Sequence, residues 1–355
     1  MTGTMRLDRW TRLKMAAALL CAAVGVPAVG VSAVGFPAVG QAADSAVILQ
    51  YHRFDEADLP STNITLKQFE AHLAYLRSGS YTVLPVPHII AALRSGQPLP
   101  EKTVGITIDD AAKSVISEAW PRLREAGFPF TLFVATDAID QQRVRSMSWD
   151  DIRTLANAGV TIANHSSSHE HLWRLDLVAA RRDIASAQTR FQAELGFSPR
   201  LFAYPYGEYN LALRGLIEEL GFEVAFGQNS GVADKSVDPF ALPRFSLNEA
   251  YGGIERFRLI VNTLPIPVHD VTPAEPIVVR NPPHIGFTID ESLEDIGALA
   301  CFVSGQGPVQ VELLGERRVE LRMTKPLQRG RNRVNCTLPG PDRRWRWLGM
   351  QFLVP

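Results

Sequence analysis

The chain has 355 residues, which fits two domains, or one large α/β unit with an appendage, at about 100–200 residues per domain. Hydrophobic residues make up 46% and charged residues 21%, which excludes a disordered chain and a multi-span membrane protein. A formal net charge of −1 calls for no nucleic-acid partner, and three cysteines exclude both a disulfide scaffold and a cysteine zinc cage.

Arg6, Arg9, Arg12 and Lys14 form a basic head, and no further charge occurs until Asp44. Met15 to Val24 is apolar, and small residues surround Gly40-Gln41-Ala42, the pattern of a secretory signal over residues 1–43. The uncharged stretch exceeds the roughly 20 residues of a bilayer span. However, residues 27–40 repeat Pro-Ala-Val-Gly and Ser-Ala-Val-Gly, which weakens a helix. The expectation is export to the periplasm or beyond, with no stable membrane span after cleavage. Cys301 and Cys336 would then sit in an oxidising compartment, where they either pair or stay as two buried thiols.

From Ala46 to about Phe226 strands and helices alternate. Ala46–Tyr51 is an apolar strand, and the capping box Thr65-Leu66-Lys67-Gln68 opens a helix carrying Phe69, Leu73 and Leu76 on one face. Val104–Ile108 is a strand, followed by a helix through Trp120 and Leu123, a strand at Phe130–Val134 and a helix at Trp149–Ala158. Val160–Ala163, Leu201–Tyr204 and Phe222–Phe226 complete the strands, with helices over about Leu175–Leu195 and Leu211–Leu220. Near-continuous apolar strands alternating with helices predict a parallel sheet buried on both faces, and six or more such units suit a barrel. Six prolines at 265–283 predict a stiff linker at 264–283. Residues 284–355, with alternating runs at 309–313 and 319–323, predict a small β-sandwich-like domain.

Functional residues of α/β barrels lie where strands end. Three such ends are loaded here: Asp109-Asp110, then Asn164-His165-Ser166-Ser167-Ser168-His169, then Tyr204-Pro205-Tyr206-Gly207. Adjacent carboxylates at a strand terminus point to different sides, so one can bind a metal while the other faces a substrate. A His-x-x-x-His spacing can bring both imidazoles to one ion, as on a helical turn. Each cluster alone is commonplace; their occurrence in order, each directly behind an apolar strand, is what singles them out.

These residues resemble a known family. Thr107-Ile108-Asp109-Asp110-Ala111 resembles the Thr-Phe-Asp-Asp-Gly motif of the polysaccharide deacetylases, the NodB-homology carbohydrate esterases. His165-Ser166-Ser167-Ser168-His169 is similar to their His-Ser/Thr-x-x-His motif, and Tyr204-Pro205-Tyr206-Gly207 to their Pro-Tyr-Gly motif. Tyr51-His52-Arg53-Phe54 and Leu242-Pro243-Arg244-Phe245 resemble the branch with exported exopolysaccharide deacetylases. The resemblance covers about residues 46–250 and implies a distorted (β/α) barrel, here with a small C-terminal all-β domain, the barrel taken as 44–263. It implies Asp110, His165 and His169 as ligands of a divalent ion, Asp109 as general base, and the Tyr206 backbone N–H as oxyanion donor, with Pro205 and Tyr204 beside it at the substrate. Zinc suits an Asp-His-His set with an open position, and nickel, cobalt or iron fit it as well. The implied substrate is an acetylated glycan carrying N-acetyl or O-acetyl groups.

The chain also departs from the family. Ala111 replaces a glycine, and Ala203 stands where an arginine orients the catalytic aspartate. The Asp-x-x-Asp-Trp motif is not evident, and Leu247-Asn248-Glu249 replaces the late Leu-x-His that supplies the general acid. His52, at the end of the first strand, is the substitute acid. Two further readings stay open on the sequence: a catalytically silent polysaccharide-binding barrel, and another metal hydrolase. Near the C-terminus, Arg343-Arg344-Trp345-Arg346-Trp347 would place two tryptophans on one strand face. They are read either as core residues with solvated arginines behind them, or as a glycan-stacking pair that retains the enzyme on its polymer.

Overall fold

The computed structural model describes residues 42–355. The expected signal segment lies outside them except for Ala42–Ala43, which pair antiparallel with Leu99–Pro100. Six parallel strands lie side by side in chain order: β1 (Ser45–Tyr51), β2 (Thr103–Asp109), β3 (Thr131–Val134), β4 (Thr161–Asn164), β5 (Leu201–Ala203) and β6 (Val224–Phe226). A seventh, β7 (Phe245–Ser246), pairs with the far side of β1. A bridge from Phe226 to Leu242 joins β6 to the segment entering β7, so the sheet curls almost closed. The strands are buried along nearly their whole length, as expected for a parallel sheet covered on both faces.

Alternation along the strands separates two cores. Val47, Leu49, Ile106, Ile108, Leu132 and Val134 face the surrounding helices. Ile48, Phe133, Ala163, Ala203 and Phe226 face inward, where they meet Val86 and Ile89 of a helix at Val86–Ser95. That helix plugs the barrel floor, the end away from the loaded strand ends. His88 sits exposed on this helix. Pro85 is its N-cap and Pro87 lies in its first turn, where proline costs no hydrogen bond. Of the other helices, α1 (Leu66–Ser78) carries the expected capping box.

His72 of α1 is wholly buried, and its ring stacks on Phe257 at 3.9 Å. Nε2 donates to the Gly252 carbonyl (2.8 Å) and Nδ1 accepts from the Tyr51 hydroxyl (3.1 Å), so the neutral imidazole is fully satisfied. Burial lowers its pKa from the ordinary 6.5 to about 4. The folded state therefore binds fewer protons than the unfolded one between those values. Its contribution is complete above pH 6.5 and is lost as the pH falls toward 4, by about 3 kcal/mol. Compared with His72→Phe across that window, the wild type should lose stability more steeply in acid; a pH-independent difference between the two would exclude His72 as the source.

Residues 264–283 are not a free linker. β8 (Leu264–Pro265) pairs with the final strand, and β9 (Val268–Thr272) forms the opposite edge of the same eight-stranded sheet. Prolines are tolerated here because these are edge strands with one side unpaired. The other strands are β10 (Ile285–Ile289), β11 (Ala300–Val303), β12 (Gly307–Leu314), β13 (Arg318–Arg322), β14 (Gly330–Pro339) and β15 (Trp345–Val354). The sheet order is β8-β15-β14-β11-β12-β13-β10-β9. β12 pairs with β11 through its first residues and with β13 through its last, and Phe287, Leu321, Val334 and Phe352 share one core, so the sheet folds over into a small sandwich. Cys301 and Cys336 face each other on β11 and β14 and are disulfide-bonded. Closing this 35-residue loop contributes about 4 kcal/mol through the unfolded chain.

Neither reading of the Trp345 stretch holds as stated. Trp345 is exposed, but Trp347 packs edge-to-face on Phe245 of β7 (5.6 Å) and donates Nε1–H to Asn335 (3.0 Å). Arg344 donates to the Asn262 carbonyl (2.7 Å) and to Glu101 (2.9 Å), and Arg346 to the Pro265 carbonyl (3.0 Å). Of the arginines that resembled a solvated face, Arg344 attaches the sandwich to the barrel and Arg346 ties the sheet to its own edge strand. Among the described residues no helix is long and apolar enough to cross a membrane.

Candidate active site

The loaded strand ends do converge. Asp110 follows β2 and His165 follows β4, while His169 lies in an irregular loop beyond it. One ligand atom from each of these three lies within 4.8 Å of the others. The spacing works without the anticipated helical turn: Ser166 and His169 take left-handed φ of 70° and 59°, and the Ser166 hydroxyl accepts from the His169 N–H (3.0 Å). The loop is pinned from outside, because Asp183 accepts from the Ser167 and Ser168 N–H groups (2.9 and 3.1 Å) and Asp137 from the Ser167 hydroxyl (2.5 Å).

Asp110 Oδ1 is 3.2 Å from His169 Nε2 and 3.5 Å from His165 Nε2. Both Asp110 Oδ1 and His165 Nε2 are buried without a hydrogen-bond partner. Buried polar atoms are normally paired, so two orphans aimed at one point mark the place of a missing partner. His165 Nδ1 donates to the Ala203 carbonyl (2.7 Å), which fixes the tautomer and leaves the Nε2 lone pair free to ligate. Burial opposes the charge on Asp110, but His165, His169 and His52 outweigh it and hold its pKa well below the ordinary value. An ionised carboxylate and two imidazoles thus fit a divalent cation. At His165 burial disfavours the proton and the two aspartates favour it, with a net upward shift.

Asp109 is fully buried beside this cluster. Arg244, the residue before β7, grips it through two parallel bonds: Nη1 to Oδ1 (2.7 Å) and Nη2 to Oδ2 (2.8 Å). Gln50 of β1 donates to Oδ2 (2.7 Å). Burial raises the Asp109 pKa, but Arg244, His165 and His52 overcome it and the net shift is downward. Arg244 is itself 0% exposed, lies over the Phe133 and Phe226 rings, and donates Nε–H to the Gly227 carbonyl (3.0 Å). It takes the place of the arginine that Ala203 lacks, entering from another strand. Its role was not read from the sequence, although a lone arginine inside the apolar run Phe240 to Leu247 is a signal that it is buried and paired.

His52 Nε2 lies 4.0 Å from Asp109 Oδ2, across from the histidine cluster. Burial lowers its pKa, opposed by Asp110 and Asp109. Tyr206 stands at the opposite wall, its ring stacked on His171 (4.1 Å) and edge-on to His169 (4.7 Å). Tyr204 and Pro205 do not face the mouth. Both are buried, and Tyr204 donates its hydroxyl proton to the Phe240 carbonyl (3.1 Å), so they anchor the loop from beneath. Glu249, where the late histidine was missed, accepts instead from Asn63 (2.6 Å). Ala111 has φ of 52°, the left-handed conformation that the family's glycine adopts without strain.

Comparison with known proteins agrees with this geometry. Residues 96–225 match the family model described as polysaccharide deacetylase. Bacillus subtilis YxkH is 24% identical over 206 residues, covering 58% of this chain and 72% of its own. The poly-beta-1,6-N-acetyl-D-glucosamine N-deacetylase of Escherichia coli is 24% identical over 234 residues, 54% of this chain but 35% of that enzyme. Among solved structures, the Streptococcus pyogenes deacetylase PplD in complex with acetate superposes with a TM-score of 0.57 at 18% identity, covering 61% of this chain and 98% of that one.

Proposed function

We propose that this chain, which belongs through its barrel to the polysaccharide deacetylases, is an exported enzyme that removes N-acetyl groups from a polysaccharide or oligosaccharide with the help of a divalent ion, zinc being the ion expected. The observation that carries the reading is the pair of buried, unpartnered ligand atoms on Asp110 and His165, set beside a carboxylate locked by Arg244. Asp110, His165 and His169 would hold the ion, which supplies the charge that acidifies water and polarises an amide carbonyl. Asp109, ionised throughout the neutral range, accepts the proton of the attacking water. The Tyr206 N–H donates to the oxygen on which negative charge develops. His52, 4.0 Å from Asp109 Oδ2, is the group placed to give a proton to the departing amine nitrogen as the C–N bond breaks. The products are acetate and a free amine on the sugar.

The silent-binder alternative rests on Ala111, Ala203 and the missing motifs; for Ala203, Arg244 supplies a clamp on Asp109, which supports the catalytic reading. The basic and apolar N-terminal stretch and the Cys301–Cys336 disulfide support export. The first substrate to try is poly-β-1,6-N-acetylglucosamine, from the name of the Escherichia coli relative. Acetate release should be abolished by a chelator and restored by a divalent ion. Asp109→Asn should keep the ion and lose about 10²–10⁴-fold in turnover. Acetate release indifferent to chelation, or an undiminished Asp109→Asn enzyme, would defeat the assignment.

A further inference from the structure

Tyr206 and Gly207 are consecutive residues with positive φ, 60° and 69°. A non-glycine residue keeps such a conformation when its surroundings over-determine it. Here much of that constraint comes from the C-terminal sandwich. Arg331 of β14 donates to the Tyr206 carbonyl and, through the same nitrogen, to Gln228 (3.2 Å). Gln351 of β15, which is buried, donates to the Gly207 carbonyl (2.8 Å). Within the loop itself the Gly207 N–H donates to the Tyr204 carbonyl (2.8 Å) and the Glu208 N–H to the Pro205 carbonyl (3.1 Å). Every carbonyl from Tyr204 to Gly207 is thereby occupied, two of them by side chains of the sandwich.

The sandwich also reaches the other half of the site. Asn229 donates to the Gly349 carbonyl of β15 (2.9 Å), and the Asn229 carbonyl accepts from the Arg244 N–H (3.0 Å). A side chain at Gly349 would collide with the Ser230 carbonyl, so this strand sits directly on the loop that follows β6. Arg331, Gln351 and Gly349 all lie on the strand face turned to the barrel.

We propose that the sandwich is a working part of the active site: Arg331 and Gln351 are positioning residues that hold the Tyr206-Gly207 backbone so that the Tyr206 N–H points into the catalytic mouth. The proposal rests on the deacetylase reading above for its consequence in rate, but not for its consequence in structure. It replaces a polymer anchor with a catalytic buttress, and it places the effect in kcat rather than in KM.

The test uses the full chain carrying Arg331→Ala, Gln351→Ala and both, with Trp345→Ala on the exposed sandwich surface as control. Loss of an oxyanion donor itself costs about 10²–10³-fold in kcat. Loss of its support should therefore cost about tenfold singly and up to about 100-fold in the double variant, with KM and metal content unchanged. Gln351→Glu, of the same size but with no donor, should do at least as much harm as Gln351→Ala, and Arg331→Lys should recover most of the rate. Independently, amide hydrogen exchange at residues 204–208 should quicken in the double variant and not in Trp345→Ala. A double variant with wild-type kcat, or one whose lost activity tracks lost metal, overturns the proposal. If the wild type releases no acetate, the deacetylase reading has failed, and unchanged exchange at 204–208 then overturns this one separately.

Discussion

Asp110→Asn and His169→Asn each yield a folded protein without its divalent ion, and with at least about 10³-fold less acetate release. Both positions have positive φ, 74° and 59°, and asparagine tolerates that conformation better than alanine does, so the change removes a ligand without adding backbone strain. Both side chains are about a quarter exposed, which spares the core. His165 is the poorer choice: it is fully buried and tied to the Ala203 carbonyl, so its removal also leaves an acceptor unpaired. Loss of an outer-shell partner costs about 10–100-fold in metal affinity, and loss of one of three ligands should exceed that. Elemental analysis after dialysis, alongside thermal unfolding, checks the result. Full occupancy in both variants would show that the ion is not held by Asp110 and His169.

The sequence announced this site because each strand end stands next to its polar cluster in the chain. Asp109-Asp110 and His165 come directly after apolar runs that could only be buried strands, and the barrel mouth does the rest. What joins the clusters was not legible. Arg244 reaches Asp109 across 135 residues, and nothing local to either residue encodes that pairing. Ala203 looked like a lost function because an arginine was expected at that place, whereas here the guanidinium on Asp109 comes from Arg244, at the start of another strand. The same blindness hid the sandwich contacts. Arg331 and Gln351 belong to an ordinary alternating pattern, and only the docking of the final strand onto the loop after β6 gives them partners. Proline misled at residues 264–283, because its meaning depends on whether its missing N–H would have been used.

Arg244→Met should be the most damaging substitution outside the ligand set. Arg244 and Asp109 are each 0% exposed, so the pair is a doubly bonded ion pair in a dry interior. Such a pair, measured against well-packed apolar residues, adds little net stability, because both charges were taken out of water. Breaking one half is different: a methionine in place of Arg244 would leave the Asp109 carboxylate buried with Gln50 as its neutral donor and only the more distant His52 and His165 to offset its charge. That costs about 3–5 kcal/mol, a large part of a total stability of about 5–15 kcal/mol. Arg244→Lys keeps the charge but not the planar fork, so it should preserve more stability than Arg244→Met while still letting the carboxylate turn. The decisive comparison is the double variant Asp109→Asn/Arg244→Met. With the charge gone, the methionine no longer faces an unpaired anion, and the second change should cost about 1–3 kcal/mol less than it does in the wild type. Denaturant unfolding of the four proteins measures that coupling. Additive effects would mean that Arg244 serves the barrel through its packing on Phe133 and Phe226, and that Asp109 is aligned by Gln50 instead.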